Sequence, residues 1–147
     1  MNLPHFLTPE EAEIAFYQAF ESADLDIMMC IWAPDEGISC VHPMGKMLRG
    51  QTPVREGWRQ IFRSGEKMHF EVVQEQRNQD QGIAVHLVTE NIYLHGEVRA
   101  RPPVVATNIY KLTEIGWRMI VHHASPSVLN TLDRELVREP SSRLRVH

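Results

Sequence analysis

The chain has 147 residues, 43% of them apolar and 23% charged, with a net charge of −4 and a pI near 6.0. That is enough for one domain with a real core, and the acidic balance offers no basic field for nucleic acid. No apolar run approaches the ~20 residues of a membrane helix, and the N-terminal residues lack the basic and apolar regions of a secretory leader, so a cytoplasmic protein is expected. The two cysteines, Cys30 and Cys40, are too few for a disulfide framework and lack metal-ligand spacing, which predicts buried free thiols.

The first predicted element is a helix. Thr8, Pro9 and Glu11 stand as N-cap, first-turn proline and capping-box acid. Ala12, Ala15, Phe16, Ala19, Phe20 and Ala23 then recur at three- and four-residue spacing, one apolar stripe of about four turns. A shorter helix is expected over 24–32, stopped by Pro34 and the turn-like "PDEG". "ISCVH" (38–42) reads as a short strand ending before Pro43. A third helix follows, with Thr52 as cap, Pro53 in its first position, and Val54, Trp58, Ile61 and Phe62 on one face.

From Lys67 the period changes to two. "MHFEVVQEQRNQ", "IAVHLVTENIYLHG", "VVATNIYKLTE" and "WRMIVHHAS" are four long strand candidates separated by "DQG", "HGEVRARPP" and "EIG". Gly116 suits a tight hairpin turn. Three helices and a short strand before an antiparallel meander make the fold α+β rather than parallel α/β. A helix packed in the concavity of a curved sheet would leave an open-ended pocket. Over 127–139, Val128, Leu129, Leu132 and Leu136 stand at helical spacing, and a tail follows Pro140. The chain divides into a domain over 1–126 and a C-terminal extension over 127–147.

Several polar residues interrupt these apolar patterns. His122 and His123 are adjacent on a strand, where neighbours point to opposite faces. They cannot line one pocket together or hold one metal together, and no metal or cofactor is expected. Asn108, in the middle of an apolar strand, needs partners and is either a ligand contact or a bonded core amide. Tyr110 shares its face. His42 ends the short strand, where a neutral imidazole could act as base or cap the "HPMG" turn. Glu90 lies within "LVTENIY" on the same face as His86. Turned inward it would have a raised pKa and act as acid or base; turned outward it would be solvated. Trp58, Phe16 and Phe20 are core or pocket wall.

The strings "CVHPMGKMLRGQTPVREGWRQIF", "IAVHLVTENIY" and above all "VVATNIYKLTEIGWRMIVHHASP" carry a resemblance. Over 8–126 the chain resembles the nuclear transport factor 2-like superfamily, within it the SnoaL-like proteins, and more distantly the calcium/calmodulin-dependent kinase association domain. The resemblance implies a cone-shaped α+β fold, with about three N-terminal helices packed on a curved, mainly antiparallel sheet enclosing a pocket. It implies a homodimer through the outer sheet face. Members include isomerases, cyclases, dehydratases and epoxide hydrolases beside binding and assembly domains, so the fold settles no activity.

By match to the kinase-type relatives, His122 and Ala124 face the pocket and His123 the other side. Those relatives hold an arginine at the position of Asn108, and the neutral amide here implies no strong anion site. The ketosteroid isomerase branch places its proton-moving aspartate near the position of His42. Its oxyanion tyrosine resembles Tyr17, which helical phase sets about 100° from Phe16 and off the apolar stripe. Its second donor, a strand aspartic acid, has no counterpart in "VVATNIY".

Three functions are compatible with this reading. One is a small-molecule-binding protein whose mostly apolar pocket takes a small hydrophobic ligand through Asn108, His122, Trp58 and Tyr110. Another is an isomerase or lyase acting on a small hydrophobic carbonyl compound, with His42 or Glu90 as proton shuttle. The last is a ligand-free assembly module whose interior is filled by its own Phe and Trp side chains.

Overall fold

The computed structural model describes residues 3–97 and 101–127. Helix α1 (Pro9–Ser22) starts as its sequence requires: Thr8 Oγ1 accepts from the Glu11 amide at 3.1 Å, and Glu11 Oε1 accepts from the Leu7 amide at 3.2 Å. It ends at Ala23, which takes the left-handed conformation. Helix α2 (Leu25–Ile31) is capped by Asp24, whose carboxylate accepts from the Ile27 amide at 2.9 Å. The short strands β1 (Ser39–Val41) and β2 (Leu48–Arg49) form a small antiparallel pair. Two residues are too few for a period-2 signal, so β2 is invisible in the sequence.

Helix α3 (Gln51–Arg63) begins earlier than expected, with Gly50 as N-cap in place of Thr52. The preceding loop takes over the capping: Glu36 Oε1 accepts from the Gln51 amide at 3.1 Å, and Gln51 Nε2 donates to the Ala33 carbonyl at 2.8 Å. Pro53 still sits within the first turn, where its missing N–H costs nothing.

Strands β3 (Met68–Gln79), β4 (Ile83–Leu94), β5 (Val104–Thr113) and β6 (Gly116–Pro126) form the antiparallel meander. The six-stranded sheet has the order β2-β1-β6-β5-β4-β3. Its one parallel pairing, β1 with β6, sets Cys40 beside His122. Three helices on one mostly antiparallel open sheet make this an α+β architecture. The part of the C-terminal extension beyond Ser127 lies outside the described residues.

Two bulges decide which side chains face inward. In β6, Tyr110 pairs with Met119 while Ile109 pairs with Val121, so Ile120 is an extra residue. Inward positions therefore switch from Trp117 and Met119 to His122 and Ala124, all buried, and His123 is exposed. In β3 the extra residue is Glu75, which brings Arg77 onto the same side as Gln74, facing α1.

The core beneath α1 and α3 is aromatic. Phe16 and Phe20 meet Trp58 edge-on at 5.5 and 4.8 Å between ring centroids, and Phe20 meets Phe70 at 4.4 Å. Phe16 and Trp58 also pack against His122, and Trp58 against His42. At the far end the chain before α1 crosses the β5–β6 turn: Trp117 N donates to the Phe6 carbonyl at 2.9 Å beside Gly116, whose φ is +92°.

Candidate functional site

Along β4, alternation turns Ala84, His86, Val88 and Glu90 inward, which settles the face of the His86–Glu90 pair. On β5, Asn108 and Tyr110 are buried on the same side, and β6 adds His122. Register places His86, Asn108 and His122 in one row across three strands. Above this row lies α1, which lowers Glu13 and Tyr17 onto it.

Glu13, which the sequence reading missed, is the centre of the cluster. Its Oε2 accepts from the Tyr110 hydroxyl at 2.8 Å and from Asn108 Nδ2 at 3.2 Å, and its Oε1 accepts from Gln74 Nε2. His86 Nδ1 stands 3.1 Å from the same Oε2, without the alignment of a directed hydrogen bond, and His86 Nε2 is 3.6 Å from Glu10. A signal was available: Glu13 stands next to Ala12, three residues before Phe16, inside the apolar stripe. A charge at such a position is buried and paired or it is a defect.

Tyr17 corrects a second expectation. Helical phase sets it off the stripe, yet it is buried and its hydroxyl donates to Glu90 Oε2 at 2.5 Å. Helix α1 buries a face wider than one line of residues because it packs against two surfaces. Phe16 turns to Trp58 on α3, while Tyr17, one position round, turns to Phe70 on β3, with centroids 5.5 Å apart in both cases.

Asn108 links the two halves. Its Nδ2 also donates to the Tyr17 hydroxyl at 3.0 Å, and its Oδ1 is 2.6 Å from His122 Nδ1. His42 lies apart from this network. Its ring packs edge-on to Trp58 at 4.6 Å and 6.2 Å from His122, with Nε2 3.5 Å from Cys40 Sγ. The six site residues read from the sequence thus fall into two neighbouring groups. Glu90, Asn108, Tyr110 and His122 belong to the hydrogen-bonded network, and His42 and Trp58 pack beside it.

Burial acts differently on each group. It pushes the Glu90 carboxyl up to about 7, aided by the nearby Glu13 charge and opposed by the Tyr17 bond. Burial would raise Glu13 as well, but the His86 contact and charge, with the Tyr110 and Gln74 bonds, outweigh it and hold this carboxyl below its ordinary value. One carboxylate is therefore ionised at neutral pH and its neighbour is close to half protonated. Burial lowers His42 to about 4 and, with the charges of His42 and His123 adding, His122 to about 3, so both rings are neutral. It also raises the Cys40 thiol and the Tyr17 and Tyr110 hydroxyls well above their usual ranges.

A cavity of about 320 Å³ opens between α1 and β3. Tyr17, Glu13 and Gln74 lie in its wall with Phe70 and Val72, and Glu10, Glu21, His69 and Arg77 stand around it. It reaches the polar network from the side opposite His42. Among the described residues, no three His, Cys, Asp or Glu side chains are grouped as metal ligands, and no helix is long and apolar enough to cross a membrane.

The SnoaL-like domain family matches residues 10–129. The chain belongs to this family. It is similar to a crystal structure provisionally described as a calcium/calmodulin-dependent protein kinase type II association domain from Thiobacillus denitrificans. That likeness has 39% identity, a TM-score of 0.82, and covers 85% of this chain and 99% of the other. A provisionally described dehydratase of the nuclear transport factor 2-like family from Streptomyces avermitilis is 31% identical, with a TM-score of 0.73 over 83% of this chain and 100% of its own. A cystatin-like domain of unknown function from Nostoc punctiforme, 15% identical with a TM-score of 0.67 over 92% of this chain and 83% of its own, shares the fold alone. No functionally curated protein matches the sequence. Relatives this similar are provisionally described as an association domain and as a dehydratase, so the SnoaL-like fold leaves the activity to the side chains.

Proposed function

We propose that this SnoaL-like protein binds a small, mostly apolar molecule in the cavity between α1 and β3, with Tyr17 and Glu13 as its polar anchors. The observation that carries this reading is that the cavity touches the two α1 side chains that hold the buried network together. Its volume suits a small ligand, and Ile14, Phe70 and Val72 give it apolar wall beside the polar groups. Asn108, Tyr110, Glu90 and His122 orient those anchors from behind. Titration with a panel of small cyclic ketones and phenols, followed by amide resonances, tests it. Shifts centred on Tyr17, Phe70 and Gln74 are expected. Shifts confined to the His42–Trp58 side, or none across the panel, count against it.

Glu90 supports a second reading, an isomerase or lyase of the cyclase or dehydratase type acting on a small hydrophobic carbonyl compound. Two neighbouring carboxyls whose environments drive them apart, Glu13 ionised and Glu90 near neutrality, are the usual partners of acid–base chemistry. Glu90 suits the proton-carrying role better than His42, because burial makes His42 a weak base at neutral pH. Exchange of α-protons into deuterated water on the same ketones, by wild type and Glu90→Gln, is the test. A catalysed exchange that the variant loses by roughly 10²-fold or more is expected; no exchange by wild type removes this reading and leaves the first intact.

The partner in either case is a second copy of the chain. Val73 and Val105 are exposed on the outer sheet face, in line through Thr89 of β4. This supports a homodimer closed over that face.

A further inference from the structure

The buried network has a direction. The ionised Glu13 carboxylate only accepts hydrogen bonds. The end of the Asn108 amide lying 3.2 Å from Glu13 Oε2 must therefore be the NH2 group, because a carbonyl oxygen there would face a second acceptor. With Nδ2 fixed toward Glu13 and the Tyr17 hydroxyl, Oδ1 is left facing His122 Nδ1 at 2.6 Å. A carbonyl oxygen cannot donate, so the proton between them belongs to the histidine. The Tyr17 hydroxyl, already accepting from Asn108, gives its own proton to Glu90 Oε2.

We infer that Asn108 is the positioning residue of this site: its amide, oriented by Glu13, aligns one chain of donors from His122 through Asn108 and Tyr17 to Glu90, and fixes His122 with its proton on Nδ1 and its lone pair on Nε2. Every link points the same way, so the links polarise one another and converge on the Glu90 carboxylate. The far edge of the His122 ring turns away from β5, toward β1 and α3, where His42 and Trp58 stand with ring centroids 6.2 and 5.8 Å away. Nε2 is thus an acceptor for a hydroxyl or N–H group, never a donor to a carbonyl. As a role in proton transfer this rests on the acid–base reading above; the direction of the chain is a property of the free protein.

The test therefore uses the full chain without ligand. Long-range proton–nitrogen correlation spectra of nitrogen-15-labelled protein report the His122 tautomer, and carbon-13 shifts of Glu90 report its titration. Wild type is expected to show Nδ1–H at His122 from pH 6 to 8. Asn108→Leu, which removes the acceptor, is expected to move the proton to Nε2 in part or in full. Tyr17→Phe is expected to leave the His122 tautomer as it is, because Glu13 still orients Asn108, and to raise the titration midpoint of Glu90. An Nε2–H tautomer in wild type overturns the proposal, as does an unmoved tautomer in folded Asn108→Leu or a Glu90 midpoint unmoved or lowered in Tyr17→Phe. The wild-type and Tyr17→Phe measurements decide the matter if Asn108→Leu does not fold.

Discussion

The Tyr17 hydroxyl donates to Glu90 Oε2 at 2.5 Å, joining residues 73 positions apart in the chain. This bond ties the first helix to the middle of the fourth strand and places a carboxyl with a pKa of about 7 at the end of a buried chain of donors. It also makes the site pH-dependent in a direction that can be worked out.

Glu90 holds its proton more tightly in the fold, at about 7, than at its ordinary value of 4.5. Its contribution to stability is therefore full below the unfolded value and is lost as pH rises through about 7. The loss is about 3 kcal/mol. Glu90→Gln, neutral at every pH and still able to accept from Tyr17, should gain on wild type by up to that amount between pH 5 and pH 9. Urea unfolding at several pH values measures it; a difference that does not grow with pH would show that Glu90 ionises normally.

Two histidines, His122 buried and His42 partly so, act on the acid side. His42 and His122 are lowered to about 4 and about 3 from an ordinary 6.5, so the unfolded chain takes up their protons first. Stability falls as pH drops below 6.5 and goes on falling to their folded values. His42→Gln should flatten the decline between pH 6.5 and 4.5. If wild type and variant lose stability in parallel over that interval, the ring is not held neutral by burial.

Glu13 receives bonds from Tyr110, Asn108 and Gln74 and a close contact from His86. Glu13→Ala leaves the buried Tyr110 and Asn108 donors without this acceptor and should cost about 3–5 kcal/mol. Glu13→Gln keeps an acceptor oxygen and should cost clearly less. Chemical denaturation of the pair gives the comparison, and equal losses would argue that packing rather than hydrogen bonding sets the cost.

Gly116 takes φ +92°, and a Cβ added there would come within 2.7 Å of the Phe6 carbonyl oxygen and 2.9 Å of the Phe6 nitrogen. Gly116→Ala should lower stability by about 1–3 kcal/mol and loosen the segment crossing the turn. A drop in Tm accompanied by faster amide exchange at Trp117, whose N–H bonds Phe6, is the expected result. An unchanged Tm would mean that this crossing adds little.

The outer sheet face carries the prediction about assembly. Val105→Lys puts a charge at the middle of the proposed homodimer interface, and the variant should elute as a monomer with its fold intact. Light scattering after gel filtration, beside circular dichroism, is sufficient. Wild type that is itself monomeric at high concentration would remove the dimer from the proposal.

Much of this was legible in the chain. The Thr8–Pro9–Glu11 start, the apolar stripe of α1, the change of period at Lys67 and the glycine turn at 116 identify helices and meander, because they depend on local geometry that a sequence carries. Strand alternation likewise separates buried His122 from exposed His123. The strings from Cys40 to Phe62 and from Val104 to Pro126 marked the SnoaL-like family. What local pattern could not supply was placement across long separations. Only the tertiary structure decides that Glu13 and Tyr17 descend from α1 onto a row of β4, β5 and β6 residues, that β1 runs parallel beside β6, and that an extra residue at Ile120 changes which side of β6 faces inward. The proton states follow from that placement, since a carboxyl or an imidazole titrates according to its neighbours and its burial. The sequence determined the fold and named four residues of the buried network; packing decided which of its two carboxyls is held ionised at neutral pH.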